Sequence, residues 1–427
     1  MHRLRVDSRV ARELNRALVF DLLRDRQIAS RIGLVRETGL SKATISQIVD
    51  EFIAEGLVQT IGPGTSQLGR RPTLIRLEPR ARYVIGVELG ESVCSAILTD
   101  LTGTPLGKLS VGPHAPSAEG ALAAATGLIE TLLADLPRRK LLGIGIGTPG
   151  LVDSTRGVIR MAPDLGWKDV EVGPPLADRF GVPVACLNRA KAAACGEAWS
   201  GAGEKVDNLV YVSVSTGISA GIVVNQRLYR GMSMGEGEIG HATVIPDGPL
   251  CACGNRGCLQ ALAAGPAILA AVREQLRGRP LLSLDGLDSN DLDFLSLETV
   301  GQLVANGDPR VLHVLDEAAQ YIGIAAANLV NTLDPRMLIL GGAVIRALPD
   351  LVPRIEAVIR KRALSVYAAD VAVVPSKLGR DAVPIGAVAF LLDQVSPVVS
   401  SGVHASGDQS ALTQVVHPRT DRVAVVV

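Results

Sequence analysis

The sequence predicts an α/β protein in which a small winged helix-turn-helix head precedes a larger body of two similar lobes. Three observations carry that reading. The first 82 residues hold 15 Lys and Arg against 9 Asp and Glu, while the rest of the chain reverses the balance, 28 against 34. Two helical stretches joined by a Gly turn, then a basic Gly-rich hairpin, fill that first segment. Beyond it, a set of three strands, the first ending in a Gly-containing turn and running back as a hairpin, is followed by helices and occurs twice.

The whole chain sets the frame. It has 427 residues, 47% of them hydrophobic, enough to bury large cores and to exclude wholesale disorder. Basic and acidic residues balance at 43 each, so the basic head is a local feature and points to a polyanion partner. No apolar run approaches the roughly 18 residues a membrane helix needs. Arg3, Arg5, Asp7, Arg9, Arg12 and Glu13 interrupt the start, unlike a signal peptide. A cytoplasmic protein is expected. Six Cys make no disulfide framework; three of them, Cys251, Cys253 and Cys258, fall within eight residues and point to metal.

In the head, Leu14, Leu18, Leu22 and Leu23 give an apolar face at helical spacing. Ile32 through Thr38 form a second helix that Gly39 ends as a left-handed cap. Ser41 caps a third, running to about Glu55, with Ile45, Ile48, Val49, Phe52 and Ile53 inward. Ser41, Lys42, Thr44, Ser46 and Gln47 then form a short polar face suited to the major groove of double-stranded DNA. A strand from Gly56, a loop from Gly62 to Pro72 and a strand Thr73 to Leu77 make the wing, where Arg70 and Arg71 reach phosphates or the minor groove.

The body begins near residue 83. Strands are expected at 83–89, 93–100 and 106–111, a helix at 118–135 and a buried strand at 141–147. The pattern returns at 208–214, 219–224 and 227–230, and a further buried strand ends at Gly341-Gly342. Two such halves enclose a cleft for a ligand. The long helix at 308–333, with Ala325, Ala326 and Ala327, reads either as an oligomer element or as a core helix. From about Ser396 the composition reads as a poorly ordered tail.

These features in order, with Gly147-Thr-Pro-Gly150, Gly235-Glu-Gly-Glu-Ile-Gly-His241 and Cys251-Ala-Cys-Gly-Asn-Arg-Gly-Cys258, resemble the ROK family of repressors, open reading frames and sugar kinases. The resemblance covers about residues 10–395. It implies an actin-like, hexokinase-like ATPase fold for the body: lobe 1 at 83–195, completed by about 376–395, and lobe 2 at 196–375. The head at 1–82 looks like that of the family's repressors of sugar metabolism. A homodimer or homotetramer is expected, reading a pseudo-palindromic operator.

His241, Cys251, Cys253 and Cys258 supply one imidazole and three thiolates, the ligand set of a closed structural zinc site. By resemblance, Gly150, Asn188, Glu238, His241 and Gln260 hold sugar hydroxyls. Two departures argue against kinase activity. The family's catalytic Asp is here Arg189, a permanent cation that cannot serve as a base. The family's first phosphate turn reads here Glu88-Leu-Gly-Glu-Ser92, and Glu91 opposes the phosphates of ATP. ATP is therefore not an expected ligand. For Arg189 two readings stand: it binds a phosphate or acidic group on a sugar effector, or it pairs with Glu238 or another carboxylate. Of three functions considered, a sugar-responsive transcriptional repressor accounts for head, metal motif and lost base together. A DNA-tethered sugar kinase leaves Arg189 and Glu91 unexplained, and a protein-binding head leaves the polar helix and wing unexplained.

Overall fold

A computed structural model of the chain describes residues 8–64, 71–90, 93–112, 117–232, 235–277, 292 and 295–394. Arg70 of the wing, Glu91 and Ser92 of the first phosphate turn, and the tail from Ser396 lie outside the described residues.

The head contains helices Ser8–Arg26, Arg31–Thr38 and Lys42–Ala54, followed by the wing strands Val58–Pro63 and Thr73–Leu77. Gly39 is left-handed, with its N–H returned to the carbonyl of Val35. Ser41 accepts from the N–H of Thr44, closing the first turn of the third helix. A short strand, Ile28–Ser30, pairs with Thr73–Leu77 and completes a three-stranded sheet.

The first helix corrects one expectation. Its buried face is Arg16, Val19, Phe20 and Leu23, while Leu14, Leu18 and Leu22 are half-buried. Arg16 sits inside because its guanidinium bonds Glu51 of the third helix and Glu55 at that helix's C-terminal cap, and lies 5.0 Å from the centre of the Phe52 ring. A buried cation needs such partners, and its presence breaks the apolar stripe that a sequence reading follows.

Each lobe is built on a five-stranded sheet, and the two have the same topology. In lobe 1 the order is 105–111, 94–100, 83–88, 141–148, 184–188; in lobe 2 it is 227–228, 218–224, 209–214, 337–341, 372–375. The first three strands of each are antiparallel and the remaining pairings are parallel. The duplication expected from the sequence is therefore a duplication of fold. A small third sheet, 151–153, 158–162 and 167–171, follows the Gly150 turn.

Helix Arg189–Ser200 leads from lobe 1 toward lobe 2, and the C-terminal helix Ala382–Gln394 packs along it and onto strands 83–88 and 141–148. Glycine makes that seat possible. A Cβ on Gly145 would overlap the carbonyl of Ala387, and one on Gly86 that of Pro384. Helix Pro309–Leu333 resolves the two readings left open. Ala325, Ala326 and Ala327 are all buried within the lobe 2 core, against helix Leu351–Arg362 and its neighbours. Their small side chains bring helices of one lobe together.

Head and lobe 1 share one apolar core. Phe20, Leu57 and Leu77 belong to the same cluster as Val84, Leu101, Leu142 and Leu391. The junction is also hydrogen-bonded: Glu78 N–H to the carbonyl of Leu57 at 2.8 Å, and Leu101 N–H to that of Pro79 at 3.0 Å. No described helix is long and apolar enough to cross a membrane.

Candidate functional site

The parallel pairing of 184–188 with 141–148 sets Asn188 beside Thr148, so the Gly150 turn and the start of helix Arg189–Ser200 meet at one end of the lobe 1 sheet. Asn188 is nearly buried and engaged twice with backbone. Its Oδ1 accepts from Ala190 N–H at 2.8 Å, capping the helix, and its Nδ2 donates to the carbonyl of Gly150 at 2.9 Å. Gly150 has φ of +76°, and a Cβ there would overlap Met161 and Ala162. The site therefore begins with a glycine that only its own geometry admits. Arg189 is the first residue of the helix and half-buried.

Lobe 2 supplies the facing wall. Glu236 and Glu238 precede the short 3-10 turn Ile239–His241, which packs against strand Ile218–Val224. Lys191, one turn into helix Arg189–Ser200, is 3% exposed, and its Nζ lies 2.9 Å from Glu236 Oε1. Glu238 is largely buried, and its Oε1 has no hydrogen-bond partner. Burial pushes its carboxyl above the usual range, Lys191 pulls it back and Glu236 pushes it further. A buried acceptor left open in this way is a place where a ligand hydroxyl would be held.

Gln260 lies on the helix that starts after Cys258, and its amide Nε2 is 3.1 and 3.0 Å from the two carboxylate oxygens of Asp164. Asp164 comes from the opposite lobe, on the turn Pro163–Leu165 between two strands of the small sheet. The sequence reading missed both Asp164 and Lys191. Asp164 carries no motif beyond a Pro-Asp-Leu-Gly turn, and Lys191 shows its role only through a partner 45 residues away in the chain. The two lobes thus touch through side chains across the cleft. Gly217, in the turn between strands 209–214 and 218–224, faces that pair: a Cβ on it would sit 2.9 Å from Gln260 Oε1. The Gly341-Gly342 turn at the end of strand 337–341 is tied by Ala343 N–H to Ser215 Oγ at 3.0 Å.

His241, Cys251, Cys253 and Cys258 form one cluster, each with a ligand atom within 4.8 Å of the others. His241 Nδ1 is 3.7 Å from Cys251 Sγ, and Cys253 Sγ is 3.8 Å from Cys258 Sγ. The edge of a tetrahedron with bonds of about 2.3 Å is about 3.8 Å, so the donor set fits a tetrahedral metal. Gly257 has φ of +67° and presses on the carbonyl of Ile245, which lets the loop turn tightly into Cys258. Cys94 and Cys186 are buried in lobe 1, and burial alone pushes the Cys186 thiol to about 12. Neither belongs to the cluster.

In the head, Lys42 and Gln47 are exposed, and Thr44 and Ser46 half-exposed, on one face of helix Lys42–Ala54. Ser41 is committed to the cap and also bonds Thr44 Oγ1 at 2.9 Å. Arg71 is exposed at the base of the wing.

Comparison with known proteins places this arrangement. Residues 84–394 match the model of the ROK family. The xylose repressor of Bacillus subtilis is 30% identical over 92% of this chain and 99% of its own. The DNA-binding transcriptional dual regulator NagC of Escherichia coli is 29% identical over 90% of this chain and 93% of its own. Among solved structures, a ROK family transcriptional regulator homologous to Escherichia coli MLC superposes with a TM-score of 0.75, at 29% identity over 89% of this chain and 96% of that one. A ROK family glucokinase from Streptomyces griseus, in complex with glucose and AMPPNP, matches 72% of this chain and 98% of its own with a TM-score of 0.65 and 29% identity. The kinase matches less of the chain than the regulator does. With a winged-helix head on a two-lobed body and a family match over most of its length, the chain belongs to the ROK family, among its transcriptional regulators.

Proposed function

We propose that the protein is a sugar-responsive DNA-binding repressor of carbohydrate metabolism, with a kinase-like body that senses a sugar and does not phosphorylate it. The observation that carries the proposal is the fusion, through one apolar core, of a winged-helix head to a cleft whose base position holds Arg189. Arg189 is cationic at every working pH and cannot take a proton from a hydroxyl.

In this reading residues 1–82 bind operator DNA through Lys42, Thr44, Ser46, Gln47, Arg70 and Arg71, with Ser41 fixing the helix start. Residues 83–195 with 376–395, and residues 196–375, are the two effector lobes. Gly150, Asn188, Arg189, Glu238, His241 and Gln260 surround the sugar. Zinc, held by His241, Cys251, Cys253 and Cys258, is structural: four protein ligands fill its tetrahedron and leave no position for substrate. It fixes the loop that carries Glu238 and Gln260. The working form is a cytoplasmic homo-oligomer, because a pseudo-palindromic operator needs two heads. ATP is not part of the switch.

Helix Arg189–Ser200 supports a route from cleft to head. Its first turn carries Arg189 and Lys191 at the cleft. Its last carries Trp199, whose ring lies so close to Gly103 that a Cβ there would overlap it. The neighbouring Leu101 bonds the head junction at Pro79. Trp199→Ala is expected to leave sugar and DNA binding in place while the effect of sugar on DNA affinity, roughly 5–150-fold in coupled systems, falls toward onefold. Titration of operator DNA with and without sugar measures it.

The function itself is tested by footprinting the purified protein on the DNA upstream of its own gene, with D-xylose, D-glucose and N-acetylglucosamine as probes. A footprint that one sugar weakens, with affinity falling steeply as salt rises, is expected. No specific footprint under any condition removes the repressor reading.

A further inference from the structure

The contact between Asp164 and Gln260 is polarised. Gln260 directs its amide nitrogen to both carboxylate oxygens of Asp164. What remains of its amide is one N–H and Oε1, an acceptor beside the space that Gly217 leaves open. Glu238 Oε1, on the same lobe, is a buried acceptor without a partner. The charged groups acting on Glu238 are Lys191, already held by Glu236, and Glu236 itself. The Asp164 carboxylate, Gln260 Oε1 and Glu238 Oε1 therefore offer a ligand three acceptors on neighbouring elements. Such a lining suits hydroxyl donors, and at its own end of the cleft, away from the Arg189 guanidinium at the helix start, the Asp164 carboxylate opposes a phosphate or carboxylate by charge.

Asp164 also accounts for Gln260. A Glu at position 260 would bring two carboxylates to about 3 Å, where one of them must take up a proton. An amide there supplies the donor that keeps the lobes joined.

We propose that Asp164 is an effector-contact and specificity-determining residue: held across the cleft by Gln260, it takes hydroxyls of a neutral sugar and selects against phosphorylated sugars. The proposal rests on the effector-cleft reading above. It answers the open question of Arg189 by assigning the effector no phosphate for that guanidinium to bind.

Calorimetry on the full-length protein tests it, with D-xylose, D-glucose, N-acetylglucosamine and glucose 6-phosphate. A neutral sugar is expected to bind best. Gln260→Glu and Asp164→Asn are each expected to weaken that sugar by about tenfold or more, the size of one lost charge-assisted hydrogen bond. The exchange Asp164→Asn with Gln260→Glu restores a donor facing an acceptor in reversed order, and should recover most of the loss, which general misfolding would not allow. Unchanged affinity in both single variants, or tightest binding of glucose 6-phosphate, overturns the proposal alone. No binding of any probe by a parent protein that still footprints its DNA removes the effector reading, and the proposal with it.

Discussion

Cys258→Ser is expected to cost the protein its metal and, with it, its response to sugar. Cys258 is fully buried, and its Sγ lies 3.8 Å from that of Cys253. A serine hydroxyl does not ionise near neutral pH and is a poor zinc ligand, so a tetrahedral set becomes three. The helix Leu259–Ala263 starts at the next residue and carries Gln260. Losing the anchor at Cys258 therefore loosens the Gln260 contact to Asp164 as well as the turn bearing His241. Structural zinc contributes about 10–16 kcal/mol of apparent binding energy in isolated zinc-finger peptides. Here the apolar core of lobe 2 stands without it, so the loss is confined to the loop module, and a fall in melting temperature on the order of 10 °C is expected. Metal analysis should give about one zinc per chain in the parent and almost none in the variant. An unchanged metal content in the variant would show that these four residues do not form the site.

What the sequence made legible was mostly local. Ser41, Gly39 and the run Ile45 to Phe52 announce a capped helix because cap chemistry and helical period act within a few residues. The duplicated hairpins were legible for the same reason: each is three successive strands, the first two joined by a Gly-containing turn, although Asn225-Gln226 makes the last turn of the second copy. Pairings over distance were not. Ile28–Ser30 is too short to show a period, and it forms only because Thr73–Leu77 passes beside it. Arg16 reads as a surface residue until Glu51 and Glu55 are placed opposite. The metal cluster was legible because its ligands recur in one short loop. The cleft was legible only in its motif residues. Asp164 and Lys191 bridge the lobes through partners 96 and 45 positions away, on the other side of the cleft. Asn188 was expected to touch a ligand; its amide holds the Gly150 turn and the helix start, so it shapes the cleft through backbone.

Gly386→Ala is expected to destabilise the fold strongly, against the trend for its residue type. Within a helix, Ala is favoured over Gly by about 1 kcal/mol, because Gly gives up more backbone freedom on folding. Gly386 lies inside helix Ala382–Gln394, so local preference alone predicts a gain. Its neighbour reverses the sign. A Cβ on Gly386 would overlap the carbonyl of Ala192 and stand 2.7 Å from the nitrogen of Gly196, both backbone atoms that no rotamer change can move. Gly196 meets the carbonyl of Ala382 in the same way, so the two helices cross in backbone contact. Overpacking a tight core costs about 1–3 kcal/mol and more where the obstruction is backbone, so a net loss of at least about 2 kcal/mol is expected. Gly127 gives the matching control. It is exposed in helix Ala118–Leu132, and a Cβ there would meet nothing within 4 Å. Gly127→Ala should therefore raise the melting temperature, by the roughly 1 kcal/mol of helix preference. Thermal melts of the two variants beside the parent read both signs at once. A Gly386→Ala protein as stable as the parent would mean the helices do not cross in contact. That crossing also sets where helix Arg189–Ser200 lies, with Lys191 at the cleft and Trp199 at the head junction. Prying it open should therefore weaken sugar binding as well as the fold, while Gly127→Ala leaves sugar affinity unchanged.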